Sequence, residues 1–127
     1  RKHQPRSAIV VLNDHHMLGK RIVYAQMRAS GFELFDYGRM DAPTLVARLQ
    51  ADRVRVLLVS VLMLSSALQV RQVRDALDAA GADVKIVVGG APFNFDTELW
   101  HEVGAHAMGR SAADAAHVVQ GWMEQMQ

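Results

Sequence analysis

Asp14, His16 and Gly19 fall within one short stretch, Asn13-Asp14-His15-His16-Met17-Leu18-Gly19, between an apolar run ending at Leu12 and a helix-like segment opening at Gly19-Lys20. A carboxylate two residues before an imidazole can reach the distal ring nitrogen, fix the tautomer and strengthen the ring as a metal ligand. The same imidazole could serve as a base or a structural donor, and an ordinary hydrogen-bonded loop histidine satisfies the same spacing. As a metal centre the stretch offers one convincing ligand, His16. A zinc site needs at least three protein ligands. His15 should point elsewhere in an extended loop, and His101, His106 and His117 have no ligand spacing to one another. One imidazole without companions suits a metal that arrives already chelated by a macrocycle.

The elements that must hold this stretch alternate along the chain. Ser7 to Leu12 is continuous, apolar and β-branched, the pattern of a strand buried on both faces. Gly19 to Ala29 follows, with Ile22, Val23, Gln26 and Met27 as one helical stripe. Phe32 to Asp36 reads as a short strand and Tyr37-Gly38-Arg39-Met40 as a turn. Asp41 is a plausible N-cap for a helix with Pro43 near its start. Val54 to Val61 is the strongest strand pattern, ending at Ser60. Ser65 or Ser66 should cap a helix over Ala67 to Ala80, with Leu68, Val70, Val73 and Leu77 facing inward, closed by Gly81. Val84 to Val88 is a further strand running into Gly89-Gly90-Ala91-Pro92. A helix at about Asp96 to Val103, a weak strand near 104–108 and a helix from Ala112 to Met126 complete the chain.

Strand–helix alternation with short connections predicts an α/β, doubly wound (Rossmann-like) parallel sheet of five strands, flavodoxin-like in the order 2-1-3-4-5. Ligands in that architecture bind outside the carboxyl ends of the strands, beside the first. The loops after strands 1, 3 and 4 end there, carrying Asp14, His16 and Gly19; Ser60 and Ser66; and Gly89 and Gly90. Gly89-Gly90 also reads as a simple strand-end turn. It is no phosphate loop, because neither the dinucleotide fingerprint nor a Walker-type Gly-Lys-Ser/Thr occurs.

The chain has 127 residues, half of them hydrophobic, and a formal net charge of +1. That length suits one domain with a real core, residues 1–127, of which 1–6 form a polar and flexible lead-in. The balanced charge leaves no footprint for nucleic acid or an anionic membrane. Arg71 and Arg74 read as a solvated helix face shared with Asp75 and Asp78. With no cysteine in the sequence, disulfides, thiolate zinc and a cluster held by this chain's thiolates are excluded, and a reducing cytoplasm is compatible. Polar residues interrupt even Val54–Leu68, so no membrane span is expected. Arg1–Arg6 is not a signal peptide and has no initiator methionine, as a fragment of a larger protein would.

Asp14-His15-His16-Met17-Leu18-Gly19, Ser60-Val61-Leu62 and Gly89-Gly90 together resemble the hallmark of the cobalamin (vitamin B12)-binding domain: Asp-x-His-x-x-Gly, Ser-x-Leu and Gly-Gly. The resemblance covers the chain from Ser7 on. Each motif alone is weak, but the three at their proper strand ends are specific. Gly89-Gly90-Ala91-Pro92 and Lys20 after Gly19 look like the corrinoid proteins of methyltransferase systems. The resemblance implies base-off/His-on binding, with His16 as lower axial ligand of cobalt and Asp14 bonded to its other nitrogen. Ser66 would complete that relay. It also implies a deep slot for the displaced nucleotide tail, with Gly19 permitting close approach, Ser60 and Leu62 lining it, and Gly89 and Gly90 leaving room. Met17 joins the cofactor-binding set by its place in the motif, although methionines such as Met17, Met63 and Met108 read by type as core or gap filling.

In function, the resemblance implies a domain that binds cobalamin, as methylcobalamin or hydroxocobalamin. It would carry a methyl group on cobalt between partner methyltransferase domains or subunits, which bind donor and acceptor. On this reading the domain is not a complete enzyme by itself. A cobalamin-sensing, even light-responsive, module of a regulator is the alternative, and the cobalamin subunit of a carbon-skeleton mutase a lesser one. Two departures bear on this choice. Met17-Leu18 stand where many methyl carriers have an acidic residue, and such carriers usually have a helical cap before this domain.

Overall fold

The computed structural model describes residues 4–127. The chain runs β1 (Ser7–Leu12), α1 (Leu18–Ala29), β2 (Phe35–Met40), α2 (Ala42–Ala51), β3 (Val56–Ser60), α3 (Leu64–Leu68), α4 (Val70–Ala79), β4 (Lys85–Gly89), α5 (Ala91–Phe95), α6 (Leu99–Glu102), β5 (Ala107–Met108) and α7 (Ala112–Met126). All pairings are parallel, and the sheet order is β2-β1-β3-β4-β5, as the alternation predicts. β1 is buried along its whole length, which its lack of polar/apolar alternation requires.

Successive strand residues point to opposite faces, so the sheet divides the interior in two. Ala8, Val10, Leu12, Leu57 and Val59 join Leu45, Leu49, Val73, Leu77 and Phe93 beneath the helices of one face. Ile9, Val56, Leu58 and Val87 meet Met27, Phe32, Val119 and Met123 under α1 and α7 on the other. Phe93 is fully buried, which contributes about 2–3 kcal/mol by removal of its ring from water. In register, Val11 lies beside Ser60 and Ser60 beside Gly89. The carboxyl ends of three strands thus form a single row.

Several elements differ from their sequence signals. Tyr37–Met40 is strand, not turn, and β2 begins only at Phe35. Gly38, at φ 65°, makes a bulge there: Ile9 pairs with Asp36 but Val11 with Arg39. A bulge and a turn both favour glycine among polar residues, so the local sequence does not separate them. On α1 the buried positions are Lys20 and Met27, while Ile22 is exposed. The Lys20 ammonium lies 2.8 and 2.9 Å from the two Asp36 carboxylate oxygens. That pair ties the first turn of α1 to β2.

The helix expected over Ala67–Ala80 is two helices, α3 and α4, broken at Gln69, whose N–H reaches Ser66 O at 3.1 Å. That three-residue bond tightens the turn, and Leu68 faces outward. After β4 the helix starts at once, at Ala91-Pro92, and the segment expected at Asp96–Val103 is only the short α6. Asp41 caps α2 through Thr44 N–H at 2.9 Å, and Ser111 caps α7 through Asp114 N–H at 3.1 Å. Arg71–Asp75 and Arg74–Asp78 are surface pairs one helical turn apart. The lead-in lies partly outside the described residues. Its described part is tied down, because Arg6 O accepts Arg55 N–H at 2.8 Å and Gln4 Oε1 accepts Glu33 N–H at 2.9 Å.

Candidate functional site

Asp14 follows β1 at the row of strand ends and is only 2% exposed. One carboxylate oxygen accepts the His16 backbone N–H at 3.1 Å and contacts the His16 ring at Nδ1, 2.5 Å away. The other accepts the backbone N–H groups of Leu62 and Met63 at 2.8 and 3.0 Å. Burial would raise the carboxyl pKa, but the His16 ring and the three backbone N–H groups outweigh it, and the group is held well below the usual carboxylate range. Asp14 is therefore ionised, and Nδ1 of His16 is the proton donor of the pair. In the neutral imidazole with its proton on Nδ1, the lone pair lies on the other nitrogen, Nε2. It has no hydrogen-bond partner among the described residues, and the His16 side chain is 53% exposed. The geometry is that of an imidazole oriented by a neighbouring carboxylate. His15 is turned away, its ring against the Arg39 guanidinium.

Ser66 does not complete an Asp14–His16–Ser66 relay. Its hydroxyl donates to Asn13 O at 2.7 Å, because four N–H donors already fill the carboxylate. Nor does it cap a helix; it lies inside α3, whose N-cap is Met63. Leu62 contributes its backbone N–H, and its side chain is exposed. Met17 is half-buried and precedes α1 without a side-chain cap.

Beside this loop a cleft of about 230 Å³ opens between α1 and α7. Its floor is Ile9, Leu58, Val87 and Val88; its rim at the strand ends is Ser60, Gly89 and Gly90. Gly19, Ile22 and Val23 line it from α1, Gly109 to Ser111 from the loop after β5, and Ala112 and Ala115 from α7. A β-carbon on Gly19 would stand 3.2 Å from Ser60 Oγ, so α1 approaches β3 closely there. The α7 wall went unrecognised in the sequence. Its signal was available: the loop after β5 ends at the same sheet edge, and the small residues Ser111-Ala112-Ala113 and Ala115-Ala116 follow it. A β-carbon on Gly109 would lie 3.0 Å from that of Ala115.

A B12 binding domain model matches residues 7–120 of the chain. The chain belongs to the B12-binding domain family. The trimethylamine corrinoid protein of Methanosarcina barkeri is 36% identical over 112 residues, covering 84% of this chain and 50% of that protein. Among solved structures, a cobalamin-binding protein from Desulfitobacterium hafniense superposes with a TM-score of 0.86 at 28% identity, over 93% of this chain and 58% of that one. The methanol:cobalamin methyltransferase complex from Methanosarcina barkeri is similar with a TM-score of 0.78 at 26% identity, over 95% of this chain and 46% of that one. The chain spans about half the length of the curated relatives it matches.

Cobalamin is accordingly the cofactor of this B12-binding domain, and the residues present fit it. One oriented imidazole suits a cobalt whose equatorial positions a corrin already fills. Among the described residues no three His, Asp or Glu side chains gather as a metal site of their own. Leu18, Leu62, Met63, Leu64 and Phe95 are exposed apolar side chains in the loops and first turns at the same sheet edge. No helix among the described residues is long and apolar enough to cross a membrane.

Proposed function

We propose that this B12-binding domain holds cobalamin base-off/His-on, with His16 Nε2 as the lower axial ligand of cobalt, and serves as a methyl carrier between partner methyltransferase domains or subunits. The observation that carries this reading is the His16 ring: Asp14 holds Nδ1, no described residue bonds Nε2, and the loop that carries the ring runs into Gly19 at the wall of an apolar cleft. When bound, the corrinoid cobalt supplies the site at which a methyl group is held. The protein supplies the rest. Asp14 keeps the proton on Nδ1 and so directs the lone pair of Nε2 outward. The Leu62 and Met63 amides keep Asp14 ionised and still. Gly19, Ser60, Gly89 and Gly90 border the cleft, which would accept the displaced nucleotide tail. The exposed apolar residues of the sheet edge would lie against the corrin and exclude water.

The names of the relatives support a carrier over a sensor or a mutase subunit. The partner for methyl donation or acceptance would come from outside the described residues.

Reconstitution with hydroxocobalamin tests this directly. The wild-type complex should show the spectrum of imidazole-ligated, base-off cobalamin, and His16→Ala should give a water-ligated spectrum with weaker binding. Absence of corrinoid binding by the wild type would refute the reading; an unchanged spectrum in His16→Ala would remove His16 as the ligand. Carrier function is read by reducing the loaded protein to cobalt(I) with an added reductant, supplying a methylamine- or methanol-type methyltransferase together with its methyl donor, and following alkylation of the corrinoid in the visible spectrum.

A further inference from the structure

Asn13 sits at φ 50°, in the left-handed region, which asparagine tolerates better than any residue with a β-carbon except aspartate. Three elements hold it there. Its N–H donates to Met40 O at the end of β2, at 2.8 Å. Its carbonyl accepts the Ser66 hydroxyl of α3, at 2.7 Å. Its side-chain amide meets the Gln69 amide oxygen at the break between α3 and α4. The residue itself is exposed, so burial does not explain the conformation.

The position of this clamp matters more than its size. Asn13 is the hinge between a strand whose residues are wholly buried and a loop in which Asp14 points inward and His16 outward. Returning residue 13 to the β or right-handed helical region would change φ by roughly 100° or more. Asp14 would then swing away from the Leu62 and Met63 amides, and His16 would move with it.

We propose that Asn13 is a positioning residue for the axial-ligand loop: by holding the left-handed turn against β2, α3 and Gln69, it sets the direction in which His16 presents Nε2. Its effect on ligation rests on the cobalamin reading above. Its effect on the Asp14–Leu62–Met63 hydrogen bonds does not.

Three variants separate the components. Asn13→Gly keeps the left-handed turn without strain but loses the side-chain bond. Asn13→Ala loses the bond and penalises the turn. Gln69→Ala removes only the bond. In proteins loaded with hydroxocobalamin, Asn13→Ala should release the corrinoid about tenfold faster than wild type, with a larger water-ligated fraction. Asn13→Gly and Gln69→Ala should show about threefold effects. In the cofactor-free proteins, the His16, Leu62 and Met63 amides should exchange faster in the same order.

A wild-type spectrum, release rate and amide exchange in Asn13→Ala would overturn the proposal. So would a lowered unfolding midpoint with ligation unchanged, the mark of a merely structural role. Should Asn13→Ala fail to fold, Asn13→Gly and Gln69→Ala decide the question on the same readouts. If the wild type binds no corrinoid, the cobalamin reading fails, and amide exchange in the cofactor-free variants alone decides the role of Asn13.

Discussion

A β-carbon on Gly90 would stand 1.7 Å from the carbonyl oxygen of Val61, and Gly90 has φ 123°, whereas a β-carbon on neighbouring Gly89 meets only the Gly109 carbonyl, at 3.4 Å. The two glycines of one motif therefore answer to different constraints. Gly90→Ala should destabilise the fold by about 3 kcal/mol or more, since both a clash and backbone strain must be relieved. Gly89→Ala should unfold within a few degrees of wild type, because ordinary contact at a strand end costs under about 1 kcal/mol. Its methyl group would narrow the cleft and weaken corrinoid binding. Thermal unfolding of both variants, with a hydroxocobalamin titration of Gly89→Ala, checks the contrast.

Asp14 has two separable tasks. Asp14→Asn retains an oxygen for the Leu62 and Met63 amides but has no charge to fix the His16 tautomer. It should fold normally, at a cost of about 1 kcal/mol, and show a reduced imidazole-ligated fraction. Asp14→Ala leaves three part-buried backbone amides, of His16, Leu62 and Met63, without their acceptor and should cost about 3 kcal/mol. The lowered pKa of Asp14 adds a pH signature. Its stabilisation is complete above the ordinary carboxylate range and fades only as pH falls through that range toward its depressed folded value. Denaturant unfolding of both variants at neutral pH, and of wild type down to acid, provides the measurement.

The cleft between α1 and α7 is the proposed seat of the nucleotide tail, and corrinoids with and without that tail test the proposal against corrin binding. Ala112→Phe places a ring at the α7 wall from a half-buried position, so stability should change little. Affinity for cobalamin should fall by about tenfold or more, while cobinamide, which lacks the nucleotide, should bind as it does to wild type. Equal loss for both ligands would place the tail elsewhere.

His106 links the sheet edge to α4. Its Nδ1 accepts the Ile86 backbone N–H at 3.0 Å, and Arg74 stands 3.2 Å from Nε2. Burial first, then the charges of Arg74 and Lys85, lower its pKa below the ordinary 6.5, with Asp78 and Asp83 opposing. A folded pKa below the unfolded one means that unfolding takes up a proton between the two. That stabilisation is present above about 6.5 and is lost as pH falls through the window. The unfolding midpoint should drop on going from pH 7.5 to 5.5. His106→Asn, which keeps an acceptor without a titrating ring, should flatten that slope.

The sheet order was legible because each buried strand is a continuous apolar run between helical stripes. The gathering of Asp14, His16, Ser60, Gly89 and Gly90 at one sheet edge was legible because they lie at or just after the ends of those runs. What escaped has physical causes. The Gly38 bulge uses the same residue types as a turn. Leu68 follows the helical period of its neighbours, but the tightened turn at Gln69 resets the phase. The contact of Ser66 depends on how many donors already reach Asp14, and two of these come from a backbone segment forty-eight and forty-nine residues away. On the α7 side the helix itself contributes only Ala112 and Ala115, and their place after β5, not their chemistry, marks them as wall.

The two faces of the sheet are unequally filled. Beneath α2 to α6 the side chains close on one another around Phe93; between α1 and α7 they part over Ile9, Leu58 and Val87. Atoms lining such a gap lack neighbours on one side and forgo the dispersion energy those neighbours would give. A nucleotide seated there would become interior to the protein, in contact with strand residues as a core side chain is. Cofactor and polypeptide would then share one hydrophobic core, and saturation with cobalamin would raise global stability as well as occupy a site.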